Sequence, residues 1–314
     1  MQASRKAGPN VTRPSLQNTT TGKNTGSKTT ESKTTGSKSS GSARLLTAVI
    51  VLPFLIASIL VPWLKWLFVA MAIAAMALAL FEFYVLAKQR GLNPDTGAGF
   101  LAATAIVVLS TFPADVYNEI LLQMIIIVLT AGTLVAATLR GAPFDKMLAS
   151  VGSTILGVLY IALLGSYLVA LRMWQNEGTA SDLLAFFFLV LMGADAGAYY
   201  VGRALGKNKL APSISPGKTW EGVAGGIAAA LLMATLAHYW FFRELPLKLA
   251  LPLAAVMTVV GILGDLAESA LKRGAGAKDA ANILPGHGGL LDRLDSLLFN
   301  APLIYYFARF YFHP

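Results

Sequence analysis

Cysteine is missing altogether from this chain of 314 residues. Its absence excludes disulfides, thiolate metal sites and a cysteine nucleophile. Histidine is scarce: His238, His287 and His313 are scattered along the chain, a poor basis for a zinc site. Charge is scarce as well. Only 13% of residues are Asp, Glu, Lys or Arg, about half the share usual in soluble domains, while 55% are hydrophobic. The apolar residues gather into runs long enough to cross a bilayer, which takes about 20 residues. A chain in lipid must satisfy its own backbone hydrogen bonds, so the expected fold is all-α, a polytopic membrane helical bundle.

The first 43 residues break this pattern. Thr19 to Ser42 reads "TTTGKNTGSKTTESKTTGSKSSGS", with no apolar side chain. Such a stretch buries too little surface to offset its ordering entropy, so 1–43 is expected to be a disordered basic tail. A weak electrostatic tether to anionic lipid is its alternative role. It lacks the apolar core and cleavage site of a secretory signal. Nine spans are predicted, near 45–62, 66–87, 98–113, 118–138, 148–171, 181–203, 221–242, 247–270 and 295–312. They divide into N-terminal transmembrane helices, 44–180, and a C-terminal transmembrane catalytic region, 181–314.

With the tail placed inside, the inner loops hold Lys88, Arg90, Arg140, Lys146, Arg203, Lys207, Lys209, Lys218, Lys272, Arg273, Lys278 and Arg293. The outer loops hold Lys65, Arg172, Arg243 and Lys248. Twelve against four obeys the positive-inside bias. The loops 203–220 and 271–294 then share the inner face with the ends of the helices bearing Asp195, Asp265 and Glu268.

Four stretches carry chemistry. In "GILGDLAESALKR", Asp265 and Glu268 lie one turn apart, with Ser269 beside Glu268 and Lys272 four residues beyond it. Carboxylates in a membrane helix are costly and read as functional, the plain alternative being a Glu268–Lys272 pair. From Lys278 to Asp295, the residues Lys278, Asp279, Asp292, Arg293 and Asp295 flank a Gly-rich turn with His287, Gly288 and Gly289. Cations, carboxylates and approachable backbone N–H groups suit phosphates and a divalent metal; a solvated interfacial loop is the bland alternative. "APSISPGKTWEG" places Ser215, Lys218, Thr219 and Glu221 at a helix start. It is no Walker loop, since Pro212 stands where a glycine is needed, and it reads as a phosphate seat or as an ordinary capped helix start. In "GADAGAYYVGRALGK", Asp195, Tyr199 and Gly202 share a helix face; an ion site and a structural hydrogen-bond hub are both open. Glu82, near a span end, reads as snorkelling to the interface.

"SALKRGAGAKDAANILPGHGGLLDRLD", Ser269 to Asp295, resembles the signature of the phosphatidate cytidylyltransferases (CDP-diacylglycerol synthases). The likeness extends to Gly264-Asp265, "SPGKTWEG" and "DAGAYYVGRALGK", covering roughly 194–302. It departs at Ala280-Ala281, where such proteins commonly carry a hydroxyl residue and a small one. The resemblance implies a nucleotidyltransferase that joins CTP to phosphatidic acid, giving CDP-diacylglycerol and pyrophosphate. Asp265 and Asp292 would be its Mg²⁺ positions, with Asp279 a third candidate and a second cation an open question. Lys278, Asp279 and Arg293 would act with them in catalysis. Ser215, Lys218, Thr219, Lys272, Arg273, His287, Gly288 and Gly289 would hold substrate phosphates. Asp195, Tyr199, Glu221, Glu268, Ser269 and Asp295 would support the pocket. A homodimer in a bacterial inner membrane, active on the cytoplasmic face and without a nucleic-acid partner, is implied as well. A CTP-dependent lipid-alcohol (polyprenol) kinase and an ion-coupled transporter remain the competing functions.

Overall fold

A computed structural model describes residues 52–113, 116–141, 143–276 and 289–312. The tail 1–43, Lys278, Asp279, His287 and Gly288 lie outside the described residues.

Among the described residues, the chain runs back and forth as nine helical rods. Helix α1 covers 52–60 and passes through a 3-10 turn, Pro62–Leu64, into α2, Lys65–Gln89. Then come α3, Thr96–Leu109, and α4, Val116–Leu139. The next rod joins α5, Phe144–Gly157, a π-helical segment, Val158–Leu163, and α6, Leu164–Arg172. Helix α7 is Glu177–Leu205, α8 is Trp220–Trp240, α9 is Leu247–Gly274 and α10 is Leu291–Tyr311. Among the described residues, six helices are long and apolar enough to cross a membrane: Pro62–Gln89, Tyr117–Leu139, Phe144–Arg172, Glu177–Leu205, Trp220–Trp240 and Leu247–Gly274. Helix α3 is shorter, at 14 residues. Helix α10 carries Asp292, Arg293, Asp295 and Arg309, which dilute its apolar character.

One connection differs from the all-helical expectation. Between α7 and α8, strand β1, Lys209–Ala211, pairs antiparallel with β2, Ser215–Thr219. Pro216 and Gly217 are poor strand formers, which is why the sequence reads there as a turn. The hairpin is closed by Glu221, whose carboxylate accepts from Asn208 Nδ2 at 2.8 Å and from the Asn208 backbone N–H.

Small residues set the packing of the C-terminal helices. A Cβ on Gly197 of α7 would stand 2.6 Å from the Gly225 carbonyl of α8, so only glycine permits this approach. Helix α9 packs on α8 and α10. One apolar core forms around Phe186, Phe187, Ala254, Met257 and Ile304, a second around Leu80, Tyr84, Ile106, Ile161 and Leu298. Helix α10 contributes to both, through Ile304 and Leu298.

Helix ends are closed by side chains. Asp95 caps α3, accepting from Ala98 N–H at 3.0 Å, and pairs with Arg140 at 2.7 Å. The Ala98 bond holds its carboxyl below the usual range; burial, next in size, opposes it, and the Arg140 guanidinium adds to the lowering. Arg172 is fully buried and donates to the Ser58 and Val61 carbonyls at 3.0 and 3.1 Å, where α1 ends.

Candidate functional site: an acidic and cationic cluster at one end of the bundle

The last three turns of α9 organise the site. Asp265, Glu268 and Lys272 repeat at helical spacing and share one face. Gly264 makes that face reachable: a Cβ there would lie 2.8 Å from the Asp295 carbonyl oxygen of α10. The close crossing brings one carboxylate oxygen each of Asp265, Glu268 and Asp295 within 4.8 Å of one another. Glu268 is 1% exposed and Asp295 is 7% exposed. Three carboxylates this close repel one another unless cations intervene.

Two lysines intervene from different elements. Lys218 of β2 reaches Asp265 Oδ2 at 2.7 Å. The hairpin thereby has a function the sequence did not reveal: it delivers an ammonium into the acidic cluster. Lys272 lies 2.7 Å from Glu268 Oε2 and 2.8 Å from Asp292 Oδ1, tying α9 to the first turn of α10. The Glu268–Lys272 pair is therefore present, but as one arm of a three-member bridge. Glu268 keeps its other oxygen, Oε1, buried without a partner among the described residues. A carboxylate oxygen left so in a buried acidic cluster is unusual, and hard oxygen ligands of this kind suit a divalent cation such as Mg²⁺.

The remaining nominated residues fall around this core. Ser269 Oγ donates a long, 3.4 Å bond to Asp265. Thr219 caps α8, accepting from Gly222 N–H at 3.1 Å, and Gly202 of α7 packs against that cap. Ser215 and Lys218 both lie in β2, one at its start and one near its end. Arg273 Nε donates to the Ile214 carbonyl at 3.4 Å, joining the hairpin to α9. Asp195 lies on α7 within electrostatic range of Asp265 and Lys218. Tyr199, one turn further, is exposed and accepts from Arg203 at 3.0 Å. Gly289 is buried, and its backbone bonds to Asp292. Arg293 is exposed on the first turn of α10.

Glu82 corrects its sequence reading. It is 0% exposed and does not snorkel. Its two oxygens accept from the backbone N–H groups of Leu290 and Leu291, each at 2.8 Å. A carboxylate from α2 thus caps the N-terminus of α10, where the helix leaves orphan donors and a partial positive charge. One residue beyond this clamp sits Asp292. The sequence held a signal in that Glu82 is an acid flanked by Phe81 and Phe83 inside an apolar helix. Its partner is 208 residues away, so no local pattern names it.

Comparison with known proteins identifies the family. A model of the cytidylyltransferase family matches residues 42–311. The chain is 42% identical over 199 residues to the phosphatidate cytidylyltransferase of Bacillus subtilis (strain 168), covering 63% of this chain and 71% of that protein. It is 30% identical over 270 residues to the phosphatidate cytidylyltransferase of Synechocystis sp. (strain ATCC 27184 / PCC 6803 / Kazusa), covering 77% and 88%. The match to the enzyme of that name from Haemophilus influenzae is 44% identical over 134 residues and spans 46% of the relative. A family match over nearly the whole described bundle, with the ionic cluster inside it, establishes that this chain belongs to the cytidylyltransferase family.

Proposed function

We propose that this chain is a phosphatidate cytidylyltransferase: it joins CTP to phosphatidic acid, forming CDP-diacylglycerol and pyrophosphate for phospholipid synthesis. The observation that carries the reading is the site's composition and place. Lys218 and Lys272 meet Asp265, Glu268, Asp292 and Asp295 at the end of a membrane bundle, where a lipid headgroup and a soluble nucleotide can meet.

The chemistry asks for positioning and charge neutralisation. A phosphate oxygen of the lipid, already anionic, attacks the α-phosphorus of CTP. The bond to the bridging oxygen breaks and pyrophosphate leaves. No general base of raised basicity is required. Lys218 and Lys272 are seated by carboxylates, so their ammoniums are oriented before a phosphate arrives. Asp265, Glu268 and Asp295, with Asp292 beside them, are the residues that would hold Mg²⁺; when bound, the ion neutralises charge on the phosphates and the leaving group. By resemblance, Lys278 and His287 of the same motif join the phosphate-binding set, and Asp279 is a third candidate for the metal. The bias of Lys and Arg toward this end of the bundle supports a cytoplasmic-facing site in a bacterial inner membrane. We place the protein there as a homodimer.

The test is purified protein in vesicles that hold both phosphatidate and a polyprenol, with Mg²⁺ and CTP labelled on the α- or the γ-phosphate. Lipid labelled from the α-position, with pyrophosphate released, is the expected result. Lipid labelled from the γ-position, with CDP released, would establish the kinase instead. No labelled lipid from either position would overturn both.

A further inference from the structure

The π-helical segment Val158–Leu163 is fastened to α2 on both sides. Before it, a Cβ on Gly157 of α5 would lie 2.8 Å from the Tyr84 ring; after it, a Cβ on Gly165 of α6 would lie 2.5 Å from Met76 Sδ. Tyr160 is the one polar side chain of this segment. π-Helical turns are rare and recur at functional sites. Tyr160 is 6% exposed, and its ring packs edge-on against Phe83 of α2 and Phe299 of α10, with centroids 6.4 and 5.8 Å away. Phe299 in turn lies against Gly264, where a Cβ would stand 3.1 Å from it. That is the crossing of α9 and α10 that gathers Asp265, Glu268 and Asp295. Packing thus fixes the Tyr160 ring next to the carboxylate cluster.

The hydroxyl of Tyr160 is buried without a partner among the described residues, within electrostatic range of Asp295, Glu268, Asp265 and Asp292. A phenol normally finds a hydrogen bond when buried. Tyr84 shows the ordinary case: it is 1% exposed, packs on the same Phe83 at 6.1 Å, and donates to the Thr154 carbonyl at 3.1 Å. Tyr160 has acceptors around it and bonds none of them. Glu268 Oε1 is its counterpart, an acceptor buried in the same cluster without a donor. A donor and an acceptor left unpaired in one cluster call for an explanation. A cation would satisfy the carboxylate, and an oxygen bound to that cation would satisfy the phenol.

We propose that the Tyr160 hydroxyl donates a hydrogen bond to a phosphoryl oxygen held at this cluster, which makes it a further catalytic residue of the transfer. The proposal rests on the cytidylyltransferase reading. CTP and the lipid phosphate present the same oxygen chemistry, and the assay below tells them apart. Lys218 and Lys272 come from the hairpin and α9, so Tyr160 adds a donor from a third element, the rod of α5 and α6. A neutral donor suits the place. It directs one hydrogen bond at charge on the reacting phosphate without adding a cation that the carboxylates would bind instead. In the free protein the unpaired hydroxyl costs stability, as groups kept for activity often do.

Tyr160→Phe removes the hydroxyl and keeps the ring between Phe83 and Phe299. Cytidylyl transfer is measured in mixed micelles, with CTP varied at saturating phosphatidate and then phosphatidate varied at saturating CTP. Melting is recorded without ligand, and with Mg²⁺ plus either CTP or a short-chain phosphatidate. The expected result is a fall of about tenfold or more in kcat/KM, the scale of one hydrogen bond to a charged group. The ligand-free variant should melt no lower than wild type, since it loses only an unpaired group. A fall in kcat/KM for CTP, with a smaller upward melting shift from CTP, places the oxygen on the nucleotide. The same pair of changes with phosphatidate places it on the lipid, and either result supports the donor. Tyr84→Phe is the control: it loses a bond that is made, so it should melt lower and transfer as wild type does. Full transfer by Tyr160→Phe would overturn the proposal. So would a lower melting temperature of that variant without ligand, which would assign the hydroxyl a structural bond, or an equal loss of transfer in Tyr84→Phe. If wild-type protein transfers nothing from CTP to phosphatidate, it is the function reading that fails, and the two failures stay distinct.

Discussion

Glu82 and Arg172 are both fully buried charges, each placed at the end of a helix from another part of the chain. Arg172 donates to the carbonyl end of α1, Glu82 accepts from the amide end of α10. The signs match what each helix end presents, positive charge at a C-terminus and negative charge at an N-terminus. Their surroundings differ. Around Arg172 are Val61, Ser58 and, at the rim, the Lys65–Glu177 pair, which fasten one connection to another. Beyond Glu82 lie Leu291 and then Asp292, bridged by Lys272 to Glu268. The same device serves as a fastening at one end of the bundle and as the footing of the proposed reaction centre at the other. A buried charge is therefore not informative by itself; what it holds in place decides its function.

Substitutions should separate the two ends. The largest effect is expected at the cluster itself. Lys272→Ala removes the cation shared by Glu268 and Asp292 and should lower kcat by about 10²–10³, the usual scale for losing one oriented electrostatic group. Steady-state assay in proteoliposomes checks it. Next comes Glu82→Ala, which orphans two buried N–H groups at a combined cost of about 2–4 kcal/mol and releases the first turn of α10. Thermal unfolding in detergent should shift down and kcat should fall as well. Glu82→Gln, which retains one acceptor, should recover part of both losses.

Arg172→Met sharpens the contrast. It removes the Arg172 donor from the Ser58 carbonyl and one of two donors from the Val61 carbonyl, which keeps the Leu64 N–H, and should destabilise by about 1–3 kcal/mol, with kcat unchanged where the protein remains folded. A large kcat defect in that variant would erase the distinction between the ends. The smallest effect is expected at Asp95. Asp95→Ala removes the α3 cap and should cost about 1 kcal/mol. Because its folded carboxyl titrates lower than an unfolded one, this contribution is present above about pH 4 and is lost as pH falls through the folded value. The melting difference between wild type and variant should close accordingly in acid.

Much of this was legible beforehand. Long apolar runs announced the helices, and the alternation of loops placed Lys218, Asp265, Lys272 and Asp292 at one end. Helical spacing put Asp265, Glu268 and Lys272 on one face. The group able to share one ion, however, combines Asp265 and Glu268 with Asp295, while Asp292 is bound to Lys272. That choice depends on how Gly264 lets α10 approach α9, a tertiary detail that spacing along one helix does not contain. The β hairpin was hidden by Pro216 and Gly217, and the Glu82 clamp by its sequence separation. Tyr160 was hidden for another reason: it is one aromatic residue within an ordinary apolar run, and only the packing of its ring on Phe83 and Phe299 brings it to the cluster.

The most direct measurement is cytidylyl transfer by Asp292→Ala beside wild type, each reconstituted in phosphatidate vesicles with Mg²⁺ and α-labelled CTP. Insertion and melting are recorded on the same samples. An inserted, folded variant that leaves the lipid unlabelled, while wild type labels it and releases pyrophosphate, is the predicted result. Undiminished labelling by that variant would contradict the assignment of this cluster as the reaction centre.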